Sequence, residues 1–250
     1  MNDKTPGLIL ASLPNFRDLG GISGAGGRKV RPGMLYRSGD LSRITDEDLL
    51  TLEALDVRAI IDLRAQREIV KHPDRVPATV KNHVVLHIHD KARDHAERLF
   101  AENDGKALES VLTEDYVRMV RYHRNEFREF LRILAETDQL PLVFHCAAGK
   151  DRTGLATLFL LTALGVSAED IRSDYLATNH YVAEVAEKII RKVNETGQNG
   201  EILRPLLLVR EAYLDAALET LDREFSGPVN YVNNILKADT EKLRERFLEG

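Results

Sequence analysis

The chain has 250 residues, 43% hydrophobic and 30% charged, enough apolar material for one large domain or two small ones with a real core. A net charge of −5 speaks against non-specific binding of nucleic acid, and a single cysteine excludes both an internal disulfide framework and a cysteine-based zinc cluster. One cysteine also suits a reducing compartment, no apolar run is long enough to span a membrane, and Gly7–Ala11 is too short for a signal-peptide core, so the expected location is cytoplasmic, with non-classical export left open.

Along the chain, Gly20, Gly21, Gly24, Gly26 and Gly27 predict a glycine-rich turn between two short strands; no helical pattern follows, so this is not a dinucleotide fingerprint. Met34–Arg37 reads as a strand. Thr45 with Asp48 three residues on opens a helix. The β-branched run Val57–Leu63 predicts a buried strand, His83–His89 a second of the same kind, and Leu142–His145 a third. Between the last two lie helix formers from Ala92 to Thr137, of which Asp94–Lys106 is charged and poorly periodic. After Cys146 the pattern is helical throughout, broken by a turn at Asn194–Gly200, with Ser167 and Asp170 as another cap. Strands alternating with helices predict an α/β fold: a single domain over residues 1–250, a mostly parallel sheet of about four or five strands, flanking helices and a helical C-terminal part.

The chemistry concentrates at Leu142–Leu155, where an apolar strand runs into Cys146, then a short loop, then Arg152-Thr153-Gly154 and an apolar helix. A strand–loop–helix N-terminus presents backbone N–H groups and the positive end of a helix dipole to an anion. A thiolate is stabilised there, which makes Cys146 a candidate nucleophile. Arg152 offers a planar fork for two phosphate oxygens. Ala147, Ala148, Gly149 and Lys150 form the loop between them, and Gly149 tolerates positive φ. Thr153 can donate to the sulfur, and His145 can fix the loop from behind. The plain alternative is a small buried cysteine at a strand end, which explains none of the flanking residues.

The run His145-Cys146-Ala147-Ala148-Gly149-Lys150-Asp151-Arg152-Thr153-Gly154 resembles the active-site loop of the cysteine-dependent protein-tyrosine phosphatases, and its Gly-Lys-Asp-Arg-Thr-Gly version resembles the bacterial atypical members. Asn15–Gly21, Leu35–Gly39, Asp62-Leu63-Arg64 with Glu68, Asp174-Tyr175-Leu176 and Tyr213-Leu214 are similar to further family segments, so the likeness is close to full length. The resemblance implies a two-step mechanism through a phosphocysteine, with no metal and no cofactor. It also implies phosphotyrosine proteins as partners, with phosphoserine, phosphothreonine or phosphoinositides as further substrates. Lys150 resembles the loop lysine of phosphoinositide 3-phosphatases. Two other readings remain: rhodanese-like sulfur transfer, whose loops are typically one residue shorter and do not end in Arg-Thr-Gly, and a phosphate-binding module without turnover.

The leaving group needs a proton. Asp151 is the first candidate, by covalent proximity to Arg152. Asp90 and Asp62 follow, because each succeeds a predicted parallel strand whose C-terminal end shares an edge with Cys146. The simpler roles are orientation of Arg152 for Asp151, a solvated loop acid for Asp90, and an ion pair with Arg64 or Arg67 for Asp62. His87 and His89 share a strand face but lack a further metal-ligand pattern. The basic run Arg118–Arg124 reads as a solvated face that could meet an anionic partner, and Arg17 with Asp18 as a local ion pair. Segment 91–106, with Leu99 and Phe100 as its only large apolar residues, is a candidate helical cover over the pocket mouth, or a plain connection. The oligomeric state is not legible.

Overall fold

The computed structural model describes residues 10–90, 95 and 98–250. Five strands form one sheet: β1 (Arg17–Asp18), β2 (Leu35–Ser38), β3 (Ala59–Asp62), β4 (Asn82–Val85) and β5 (Leu142–His145), in the order β1-β2-β5-β3-β4. β1 is antiparallel to β2; every other pairing is parallel. The strand carrying Cys146 at its end is therefore central. Ser38 and Asp62 lie level with His145 on either side, so the loops after β2, β3 and β5 open on one edge of the sheet.

Alternation along the strands divides the core. Leu142, Phe144, Ala59, Ile61 and Leu35 face a large cluster built with the C-terminal helices, whereas Val143, Ile60 and Tyr36 face a smaller one with Leu10, Leu13, Phe16, Leu41 and Leu52. The large cluster is covered by helices Gly105–Tyr122, Arg124–Glu136, Asp151–Ala163, Ala168–Asn194 and Glu211–Phe225. Helix Asp151–Ala163 is buried on almost every side, and its buried Thr157 and Thr162 return their hydroxyls to the carbonyls of Thr153 and Leu158. Thr45 and Ser167 cap their helices by accepting from the N–H groups of Asp48 and Asp170.

Three expectations change. β4 is an exposed edge strand confined to Asn82–Val85, because it pairs with β3 alone and Leu86–His89 leave the ladder. The glycine-rich turn has no regular strand immediately on either side, only an isolated bridge between Ser23 and Lys29, and lies within the longer connection from β1 to β2. Arg17 and Asp18 do not pair, since neighbouring strand residues point to opposite faces: Asp18 accepts from the N–H groups of Gly20 and Gly33, and Arg17 reaches Asp174.

Candidate active site

The loop after β5 is shaped by a close approach to β2. Gly149 has φ +67°, and a Cβ there would lie 2.4 Å from the Ser38 carbonyl oxygen, so only glycine fits. Its own carbonyl turns outward and accepts from Asn15 Nδ2 at 2.6 Å and from Arg37 Nη2 at 2.8 Å, while the Ala147 carbonyl accepts from Asp40 N–H at 3.1 Å. With the carbonyls pulled outward, no acceptor among the described residues takes the N–H groups of Ala147, Ala148, Gly149 or Lys150. The first helical bond of Asp151–Ala163 is Gly154 N–H to Lys150 O, at 2.6 Å. A ring of inward N–H groups at a helix start follows, the electrostatics of an oxyanion cradle.

Arg152 completes it. The side chain is buried, and Glu68 grips the end of its guanidinium with contacts of 2.5 Å to Nη1 and 2.9 Å to Nη2. The other Nη1 hydrogen goes to the Ile88 carbonyl at 3.3 Å. Of the five donors on an arginine, these use three. Nε has no hydrogen-bond partner, and with the second Nη2 hydrogen it forms a side-on fork suited to two oxygens of one anion. Burial opposes the Arg152 charge, but Cys146, Glu68 and Asp90 outweigh it and hold the guanidinium above its ordinary pKa. Thr153 Oγ1 is buried with no hydrogen-bond partner, so the bond to sulfur expected of it is not made in this structure.

A second arginine sits behind the loop. Arg37 is fully buried, with Nη1 on Asp174 at 2.5 Å, and Arg17 takes the other Asp174 oxygen at 2.9 Å. Burial and then Arg17 depress Arg37 to about 10, which leaves it charged at neutral pH. The Asn15, Arg17, Arg37 and Asp174 segments therefore hold the loop rather than meet substrate.

Behind Cys146 lies a closed cluster. His145 Nδ1 faces the Cys146 carbonyl at 3.2 Å, and its Nε2 lies 3.1 Å from Asp74. Arg64 contacts Asp62 at 2.7 Å and Asp74 at 2.8 Å. Burial disfavours the charge on His145, yet Asp74 overrides it and raises the histidine pKa; burial likewise opposes the Asp74 charge, and His145 and Arg64 overcome it to lower that carboxyl. Asp62, Asp74, His83 and His145 are the one group among the described residues with ligand atoms close enough for a metal, and the Arg64 guanidinium already lies against both carboxylates. His87 and His89 are not in that group: His87 bonds the Arg64 carbonyl, and His89 neighbours His123.

The three candidate acids thus separate. Asp62 is fully buried in the Arg64 pair, which explains it as structural. Asp90 lies 3.7 Å from Arg152 Nη2. Asp151 keeps its side chain 15% exposed, with Oδ1 accepting from Tyr116 at 2.8 Å and Oδ2 3.7 Å from Lys150 Nζ. Lys150, which resembles the loop lysine of phosphoinositide 3-phosphatases, is buried and donates to the carbonyls of Leu206 and Leu208 at 2.7 and 3.2 Å. In the cover segment, residues 91–94, 96 and 97 lie outside the described ones. Leu99 packs in the main core, and Phe100 lines a surface cavity with Asn103, Gln198 and Asn199. Glu68 is marked in the sequence only by the family resemblance, and nothing there marks the pairing of Asp74 with His145 or of Tyr116 with Asp151, partners far apart in the chain.

A profile described as tyrosine phosphatase family matches residues 8–249. The chain belongs to the tyrosine phosphatase family. A Cupriavidus necator protein with the provisional name of tyrosine-protein phosphatase is 34% identical over 97% of this chain and 89% of its own length. The triple specificity protein phosphatase of Mycobacterium tuberculosis is 30% identical over 92% of this chain and 95% of its own. A tyrosine-protein phosphatase of Nostoc commune is 33% identical over 58% of this chain and 48% of its own. The cradle, the Arg152 fork and the cysteine between them are accordingly parts of a phosphatase of this family. Among the described residues no helix is long and apolar enough to cross a membrane.

Proposed function

We propose that this tyrosine phosphatase hydrolyses phosphotyrosine in proteins in two steps through a phosphocysteine on Cys146. The carrying observation is the side-on fork of Arg152, left open by Glu68 and Ile88 beside a thiol at the mouth of an N–H cradle. In the first step the Cys146 sulfur forms a bond to phosphorus and the ester P–O bond breaks. Asp151 gives its proton to the leaving oxygen. In the second, a water oxygen attacks phosphorus, the P–S bond breaks to return the thiolate, and Asp151 receives the water proton. The cradle and fork stabilise the equatorial oxygens throughout, more strongly in the transition state than in the ester.

Asp90 is the alternative acid; its closeness to Arg152 better fits a role in neutralising that guanidinium together with Glu68. Phosphoserine, phosphothreonine and phosphoinositides are further substrates on this reading, and a multiply phosphorylated headgroup would draw Lys150 away from the carbonyls of Leu206 and Leu208. The single free cysteine suits a reducing compartment, and we assign the cytoplasm. The test is turnover of a phosphotyrosine peptide, a phosphoserine peptide and phosphoinositides, with and without vanadate, for the parent and Cys146→Ser. The parent should turn over the phosphotyrosine peptide fastest, with inhibition by vanadate. Cys146→Ser should retain binding with activity below about one per cent, since a serine lacking a base is a poor nucleophile. Higher residual activity would exclude the covalent route, and binding without turnover in the parent would favour a phosphate-binding module.

A further inference from the structure

Tyr116, on helix Gly105–Tyr122, is fully buried, yet its hydroxyl emerges at the active-site helix and donates to Asp151 Oδ1 at 2.8 Å. A second buried tyrosine, Tyr175 on helix Ala168–Asn194, places its hydroxyl 2.8 Å from that of Tyr116, the rings meeting edge-on at 87°. A phenol has one hydrogen to give. The Tyr175 hydrogen has two possible acceptors, the Arg210 carbonyl at 3.5 Å and the Tyr116 oxygen at 2.8 Å; with Tyr116 donating to Asp151 it takes the shorter contact, and the donors run in one direction, Tyr175 to Tyr116 to Asp151.

This order has a consequence for the acid. An oxygen that accepts a hydrogen bond from a phenol is a poor place for the carboxyl proton. The proton of Asp151 then belongs on Oδ2, the oxygen that takes no hydrogen bond among the described residues and has only Lys150 Nζ nearby, 3.7 Å away. We propose that Tyr116, backed by Tyr175, is a positioning residue that fixes the rotamer of Asp151 and confines its transferable proton to Oδ2. The inference rests on Asp151 being the general acid. Among the described residues, Lys150, Tyr116, Tyr175 and Tyr213 are the titratable groups that interact with the Asp151 carboxyl from the elements packed on it. Burial, and after it the Asp151 charge, holds Tyr116 and Tyr175 well above the ordinary tyrosine pKa, so they stay protonated donors across the working range.

The experiment compares kcat for aryl phosphates of rising leaving-group pKa in the parent, Asp151→Asn, Tyr116→Phe and Tyr175→Phe. Good leaving groups need little acid help; poor ones need it fully. Tyr116→Phe should lower kcat on the poorest leaving group about tenfold while leaving the best within about twofold, so the dependence steepens. Tyr175→Phe, which keeps the Tyr116 hydroxyl, should act in the same direction but less, and it reports on the relay if Tyr116→Phe folds poorly. Adding Tyr116→Phe to Asp151→Asn should steepen nothing further. If Asp151→Asn steepens the dependence and neither tyrosine variant does, the positioning role is overturned and Asp151 stands. If Asp151→Asn leaves the slope unchanged, Asp151 is not the acid and both readings fall.

Discussion

On the strand side of Cys146, His145, Asp62, Asp74 and Arg64 form a buried cluster in which the charges answer one another at 2.7–3.1 Å. On the helix side, Arg152 is equally buried, but Glu68 occupies only the end of its guanidinium, leaving Nε and the neighbouring Thr153 hydroxyl unpartnered. The first cluster turns its charges on one another, His145 Nε2 facing Asp74 at 3.1 Å without a well-aligned hydrogen bond, and holds the loop. The second withholds two donors at an edge where an oxyanion can take them. Burial therefore does not distinguish structural from functional charge here; what sets Arg152 apart is that its unused Nε lies at the start of the active-site helix, next to the loop after β5.

Breaking the closed cluster should show most in stability. Arg64→Met leaves Asp62 and Asp74 buried without their shared cation, and should cost about 3–5 kcal/mol in urea unfolding. The turnover of the remaining folded enzyme should change far less than its stability. Arg152→Lys reverses that pattern. It keeps a charge but loses the fork, so turnover should fall about a hundredfold, roughly 3 kcal/mol, with near-wild-type activity ruling out the clamp. Gly149→Ala sits between the two regions, where the new Cβ would meet Ser38 backbone at 2.4 Å with φ +67°. A loss of roughly 2 kcal/mol of stability together with weakened vanadate binding is expected, measured by denaturation and inhibition on one preparation.

The smallest effect concerns pH. His145 has a raised folded pKa, so its pairing with Asp74 stabilises fully below the unfolded value of about 6.5 and is lost as pH rises through the raised value. Asp74 has a lowered folded pKa, so its contribution is present above about 3.9 and is lost as pH falls through the lowered value. Urea midpoints followed from pH 6 to 9 should decline for the parent. Asp74→Asn should start lower and lose that slope, and an unchanged slope would place the titration elsewhere.

Much of the functional half was legible because it is local. Cys146 to Gly154 are contiguous, and one strand, one glycine and one helix start bring them together. The sheet was legible for a similar reason, since β3 and β5 are buried on both faces and read as unbroken apolar runs. β4 misled because a β-branched run on an edge strand looks the same as one in the interior. What could not be read was long-range pairing of charged groups. Asp74 comes from an irregular segment after helix Gln66–Lys71, Asp174 from a helix more than 130 residues beyond Arg37, and Tyr116 from a helix preceding the catalytic strand. The contacts of Lys150 were illegible for the same reason: they are backbone carbonyls at Leu206 and Leu208, which carry no side-chain signature.

The covalent step is tested most directly by trapping. Rapid mixing with a phosphate-labelled aryl ester, quenching in acid within one turnover and mapping the label by peptide mass spectrometry should place phosphate on Cys146 and release it at the rate of the second step. A quenched enzyme that turns over substrate yet never carries label on Cys146 would contradict the phosphocysteine mechanism.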